Sequence, residues 1–256
     1  MTSRIPREVV GAEKRLPALA ASLELPIERL SGHPPFVAVG LGRRGWTLYR
    51  GFRHALSGPT PTIAADVDLR ALLDVTILAR WIEDDPKLRI RLWMAEDDRH
   101  RITAWEKATE FAERRERASP PAPPWDEAEE RAALAAARQD ARKAGIPVPR
   151  DGRVLPDLER MVQAVPDLWE LYHIGYRVLS PMTHAGGRSF TGDKIVKRRD
   201  GLHYLELGVP FDQPTLRSIA IPAICMLLAS VSRQAGLGIE EECDAVRMSV
   251  IVPPAP

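Results

Sequence analysis

Glutamate, histidine, arginine, serine and a second histidine recur at helical spacing within one short stretch, Glu170-Leu-Tyr-His-Ile-Gly-Tyr-Arg-Val-Leu-Ser-Pro-Met-Thr-His184. At about 100° per residue, Glu170, His173, Arg177, Ser180 and His184 share one narrow sector of an α-helix, flanked by Leu171, Ile174, Val178 and Leu179. These side chains cost solvation when buried, so the stripe is either a polar network that locks a core or a reactive site. Histidine moves protons near neutral pH, and the arginine fork fits the oxygens of an oxyanion. Arg177 and His184 are one pair on the stripe that joins the two residue types.

Two arrangements compete with that pair. Glu170-x-x-His173 and Asp97-x-x-His100 have the spacing of helix-borne metal ligands. With Asp74 and one of Glu127, Glu129 or Glu130 they would make a carboxylate-bridged di-metal site. A turn at Pro86 would set Asp74 and Asp97 level on an antiparallel hairpin. In the third arrangement the chain is a non-catalytic scaffold or binding protein. Arg70, Asp74, Glu170, Tyr172, His173, Tyr176 and Ser180 then form a satisfied network that fixes helix register. Arg177 would pair with Asp74 or Glu170, and His184 would cap a turn. Gly40-Leu-Gly42-Arg-Arg-Gly45 has dinucleotide-fingerprint spacing, but it follows no strand and reads as a glycine-spotted helix.

The elements that must position these residues are almost all helical by periodicity. Helices are expected from about Arg4 to Leu25, Pro35 to Leu56, Asp66 to Asp85, Pro86 to Ala118, Trp125 to Gly145 and Leu155 to Val165. One starting at Pro166-Asp167 carries the polar stripe, and a buried helix runs from Pro214 to Ala235. The third helix has the widest apolar face, with Leu69, Leu72, Leu73, Ile77, Leu78 and Trp81. A small β-like element is expected near 195–209, between Ile195-Val196 and His203 to Val209. The fold class is all-α, a multi-helix bundle in one domain over 1–256. Its N-terminal helices occupy 4–56, the Pro-rich excursion 119–124 and a peripheral helix 125–145.

The 256 residues suffice for a full core. Lys+Arg number 36 and Asp+Glu 35, so bulk charge will not draw the chain to nucleic acid and any anion site must be local. Two cysteines, Cys225 and Cys243, make no disulfide framework, and the N-terminus lacks an apolar h-region. The apolar run Ile219 to Val231 is too short to span a bilayer. A cytoplasmic protein with no membrane partner is expected.

Asp68-Leu-Arg70-Ala-Leu-Leu-Asp74, then Leu78-Ala-Arg-Trp-Ile and Asp85-Pro86, together with Tyr172 through His184, resemble a bacterial helical family catalogued as domain of unknown function 5677. The resemblance spans roughly 66–191. This chain has Asp74 where the family more often has Glu, and Ala185-Gly186 after the histidine rather than Pro-Ser. The family implies an all-helical fold and no settled activity. The spacing of Arg177 and His184, with six residues between them, also resembles the Arg-x(4–6)-His motif of HEPN-type ribonucleases, which are dimeric helical proteins. That likeness implies cleavage at a ribose 2′-hydroxyl without metal or other cofactor, in a defence or toxin setting. RNA and a second copy of the chain would be its partners, or a protein partner in the scaffold reading. Arg188, Lys194, Lys197, Arg198 and Arg199 would supply the positive field for RNA.

Overall fold

The computed structural model describes residues 5–26, 30, 33–57, 63–115, 125–176, 194–197, 203–206 and 212–251. Their contacts divide the chain into two units, 1–83 with 162–256, and 84–161. The physical reason for the division is the Asp84-Asp85-Pro86 break, after which the large apolar residues thin out and charge takes over.

The first unit contains α1 (Arg7–Ala21), α2 (His33–Leu56) and α3 (Ile63–Glu83), and near its C-terminal end α7 (Gln213–Ala235) and α8 (Glu240–Ile251). Helix α7 is its centre. α2 and α3 pack on it and on each other, α8 packs along it, and α1 rests chiefly on α7 and α8. Leu69, Leu72, Leu73, Ile77 and Trp81 of α3 meet a core that includes Ile221, Ile224, Leu227 and Leu228 of α7, all essentially closed to solvent. Each such aliphatic side chain contributes about 2 kcal/mol relative to exposure.

Gly45 allows the close approach of α2 to α7. A Cβ there would stand 2.0 Å from Cδ2 of Leu227, a fully buried side chain with nowhere to move. The glycine-spotted segment is thus helix interior. At one end of α7 the Asp212 carboxylate accepts from the Thr215 N–H at 3.0 Å, and at the other Gly236 takes the left-handed conformation at φ 66°. By length and composition α7 could cross a membrane, contrary to the shorter apolar run read in the sequence. Yet 83% of its most apolar window is buried inside the fold, as in a core helix.

The second unit is a helical hairpin. α4 (Pro86–Arg114) opens with Asp85, whose carboxylate accepts from the Leu88 N–H, and with Pro86 in its first turn. α5 (Glu127–Lys143) is capped in the same way by Asp126. Ion pairs Arg91–Asp140 at 2.7 Å and Arg101–Glu130 at 2.9 Å join early residues of one helix to late residues of the other, so the two run antiparallel. The apolar seam is thin, with Leu134, Ala137 and Ala141 from α5 against residues such as Leu92 and Ile102. The buried Glu96 carboxylate accepts from the N–H groups of Val154 at 2.6 Å and Leu155 at 3.3 Å, tying the segment after α5 to α4. The chain returns to the first unit within α6 (Leu158–Ala164).

The described residues are overwhelmingly helical and the fold class is all-α. The backbones of β1 (Lys194–Lys197) and β2 (His203–Glu206) pair antiparallel, with Lys194 opposite Glu206 and Lys197 opposite His203.

Candidate functional site

The stripe residues begin on two irregular turns. Pro166–Leu168 is a single 3₁₀ turn, and Leu171–Tyr176 is a π-helix, with i→i+5 hydrogen bonding. This corrects the even stripe expected from the sequence. A π-turn is wider than an α-turn, so Glu170 and His173 do not stack as i, i+3 neighbours would. Glu170 is exposed at a cleft, whereas the His173 ring lies against Trp169, with centroids 3.9 Å apart. His173 Nε2 is buried with no hydrogen-bond partner among the described residues.

Packing fixes the π-helix on two sides. Leu171 and Tyr172 are buried, and a Cβ on Gly175 would meet Ile219 Cγ2 of α7 at 3.0 Å and Leu73 Cδ1 of α3 at 3.2 Å. A side chain there would make these two neighbours give way by a few tenths of an ångström. One turn earlier than Leu73, Arg70 of α3 reaches Asp74 at 3.5 Å. Burial lowers the Arg70 pKa, against the opposing pull of Asp74 and Tyr172, which lie close enough to act on its charge. Arg70, Asp74 and Tyr172 therefore lie near one another.

The cleft beside the π-helix has a volume of about 340 Å³. Leu171, Ile219, Pro222 and Met226 give it an apolar floor, and Asp167, Glu170 and Arg247 a charged margin. Two of those charges are spoken for. Asp167 pairs with Arg80 at 2.8 Å and Arg247 with Asp244 at 3.1 Å.

Tyr176 closes the π-helix. Arg177, Ser180, His184, Arg188, Arg198 and Arg199 lie outside the described residues. Lys194 and Lys197 are the end residues of β1.

Among the described residues no three His, Cys, Asp or Glu side chains gather as a metal set, and Asp74, Asp97, His100, Glu170 and His173 are all among them. The reasons are local. His173 turns to Trp169, and His100, 65% exposed, leans at 3.4 Å on Glu96 rather than sharing a ligand face with Asp97. Glu96 itself is occupied by Arg99 at 2.6 Å and by two backbone N–H groups.

A second polar cluster lies in the first unit. Glu13 of α1 and Arg217 of α7 are both buried, and Arg217 Nη1 donates to the two carboxylate oxygens at 2.5 and 2.6 Å. Arg53 of α2 approaches the same carboxylate at 3.1 Å. Beside them Tyr49 is 1% exposed, and burial holds its phenol pKa well above the usual value, with the Glu13 charge adding to the effect. Glu13 and Arg217 went unnoticed in the sequence. The available signal was an arginine two residues ahead of the apolar run Ile219 to Val231, where a buried charge requires a partner.

A family model with the description "Family of unknown function (DUF5677)" matches residues 37–202. No curated protein and no solved structure matches the chain.

Proposed function

We propose, from the premise that the chain belongs to the family of unknown function DUF5677, that it is a metal-independent endoribonuclease of the HEPN type. His184 takes the proton from a ribose 2′-hydroxyl as that oxygen attacks the adjacent phosphorus. The bond from phosphorus to the 5′-oxygen breaks, that oxygen takes a proton from water and leaves as the 5′-hydroxyl of the downstream fragment, and a 2′,3′-cyclic phosphate remains on the upstream one. Arg177 holds the phosphate oxygens while negative charge accumulates on them. Arg188, Lys194, Lys197, Arg198 and Arg199 contact the RNA backbone, and a second copy of the chain completes the working unit. The setting is a bacterial cytoplasm, in defence or toxin action.

The observation that supports this reading is the π-helix Leu171–Tyr176, on the same sequence stretch as Arg177. π-turns interrupt helices most often at functional sites. This one is pinned by Gly175 between α3 and α7, beside the Arg70–Asp74 pair. A charge-stabilising arginine needs a fixed point of departure, because small misplacements cost large factors in rate.

The test is incubation of the purified chain with mixed RNA in EDTA, beside His184→Ala and Arg177→Ala. Cleavage that leaves cyclic phosphate ends and disappears in both folded variants is the expected result. Cleavage that persists in either variant, or ends without cyclic phosphate, overturns the assignment of the pair.

A second reading, a non-catalytic binding protein, draws support from the 84–161 unit. Its hairpin exposes Met94 and Phe111, 48% and 51% accessible, among paired charges. That reading expects no RNA cleavage and a defined protein partner whose binding is lost in Phe111→Asp.

A further inference from the structure

The Glu13 cluster carries an inference of its own. α1 packs chiefly on α7 and α8, and between α1 and α2 lies a cleft of about 440 Å³. That volume suits a small organic ligand. Arg43 of α2 ties the chain after α1 to that helix, its guanidinium donating to the carbonyls of Leu23 at 3.0 Å and Leu25 at 3.2 Å. Part of the lining is apolar and aromatic, made by Pro17, Ala20 and Trp46, and the Trp46 ring stacks on Tyr49 with centroids 5.5 Å apart. The rest is polar and includes Glu13, Tyr49 and Arg53.

The polar part of the lining has more donors than acceptors. One carboxylate, Glu13, serves two guanidiniums, Arg53 and Arg217, which leaves one unit of positive charge. Arg50 and Glu24, both exposed at the rim, cancel each other. The Tyr49 hydroxyl lies next to the Arg53 guanidinium, itself a donor, and finds no acceptor among the described residues. Arg53 Nε and Arg217 Nε are likewise buried without a partner among them. Unspent N–H and O–H groups beside an excess cation favour an oxyanion, since both costs are relieved by one bound carboxylate.

We propose that the α1–α2 cleft binds a small aryl carboxylate, its ring against Trp46 and Pro17 and its carboxylate between Arg53 and the Tyr49 hydroxyl. That hydroxyl is covered from solvent, so the ligand reaches it as Arg53, 39% exposed, turns outward from Glu13. Its phenol stays neutral and donates, because burial opposes its ionisation. The site is independent of Arg177 and His184, and its failure would leave the nuclease reading untouched.

The experiment is calorimetric titration of the full chain with phenylacetate, beside acetate, which lacks the ring, and phenylacetamide, which lacks the charge. Saturable one-to-one binding of phenylacetate is expected, with acetate and phenylacetamide at least about tenfold weaker. Tyr49→Phe, which removes one oxygen and keeps the ring, is expected to weaken phenylacetate by about tenfold. Arg50→Gln, at the exposed rim, should weaken it less and leave the fold untouched. No saturable heat from phenylacetate at millimolar concentration overturns the proposal. So does equal binding of phenylacetamide, or unchanged binding in Tyr49→Phe.

Discussion

The two units of this chain handle charge in opposite ways. In residues 1–83 with 162–256, the Glu13–Arg217 ion pair is closed to water and joins the first helix to one far along the sequence. In residues 84–161 the ion pairs form a ladder on the surface, with Arg91–Asp140 and Arg131–Glu106 as rungs over a narrow apolar seam. Buried charge is expensive and keeps its partner only where geometry is exact in both directions, while exposed charge is screened and replaceable. Both candidate clefts lie in the first unit, so chemistry that needs fixed, desolvated groups has its scaffold there.

The contrast can be broken by substitutions of graded severity. The largest effect is expected from Glu13→Gln, which leaves Arg217 buried without its counter-charge and should destabilise the first unit by about 3–5 kcal/mol. Hydrogen exchange read separately over the two units checks this, and equal loss of protection in 84–161 would contradict the division.

Next comes Asp66, buried in the first turn of α3, whose carboxyl is pushed up to about 6 by desolvation. Unfolded, it titrates near 4. Between those values the folded chain binds more protons, so its contribution is full below pH 4 and is lost as pH rises through 6. The loss amounts to about 2–3 kcal/mol. Asp66→Asn should remove that slope and raise the urea midpoint at pH 8. A variant with the same pH profile as the parent would show that Asp66 is ionised at little cost.

Glu96→Gln tests the one deeply held carboxylate of the second unit. It weakens the acceptor for Val154, Leu155 and Arg99 and should cost about 2 kcal/mol. Its mark would be faster exchange at the amides of Val154 and Leu155. Smallest of all, Arg131→Gln removes a surface rung, and the unfolding midpoint should stay where it was. A marked drop would mean that the surface ladder, rather than the seam, holds the hairpin.

Sequence patterns revealed the elements with strong periodicity and left hidden those that depend on a distant partner. Leu69, Leu72, Leu73, Ile77 and Trp81 announce α3, and Pro86 marks the boundary that turned out to separate the units. Helix α8 was missed, although Gly236 and Gly238 followed by Glu240-Glu241-Glu242 form a stop and a fresh N-terminal signal. The π-helix was illegible because Leu171 and Ile174 fit an α-period equally well. What decides the winding is Gly175 against Leu73 and Ile219, and those residues are remote in sequence. The Arg70–Asp74 pair was legible from its i, i+4 spacing. The Glu13–Arg217 pair was not, since glutamate in a charged amphipathic helix reads as solvated surface until its neighbour is known.

The first unit is split in sequence, and the order of synthesis follows from that split. α1, α2 and α3 leave the ribosome early, but the helix they bury themselves against, α7, is made only after the whole of 84–161. The inserted hairpin is continuous and rich in local pairs, so it is free to close first. The apolar faces of α2 and α3 must wait, exposed, for a partner still being translated. A newborn chain therefore carries its greatest aggregation hazard at its front, and a pause or truncation before Gln213 would leave that hazard uncovered.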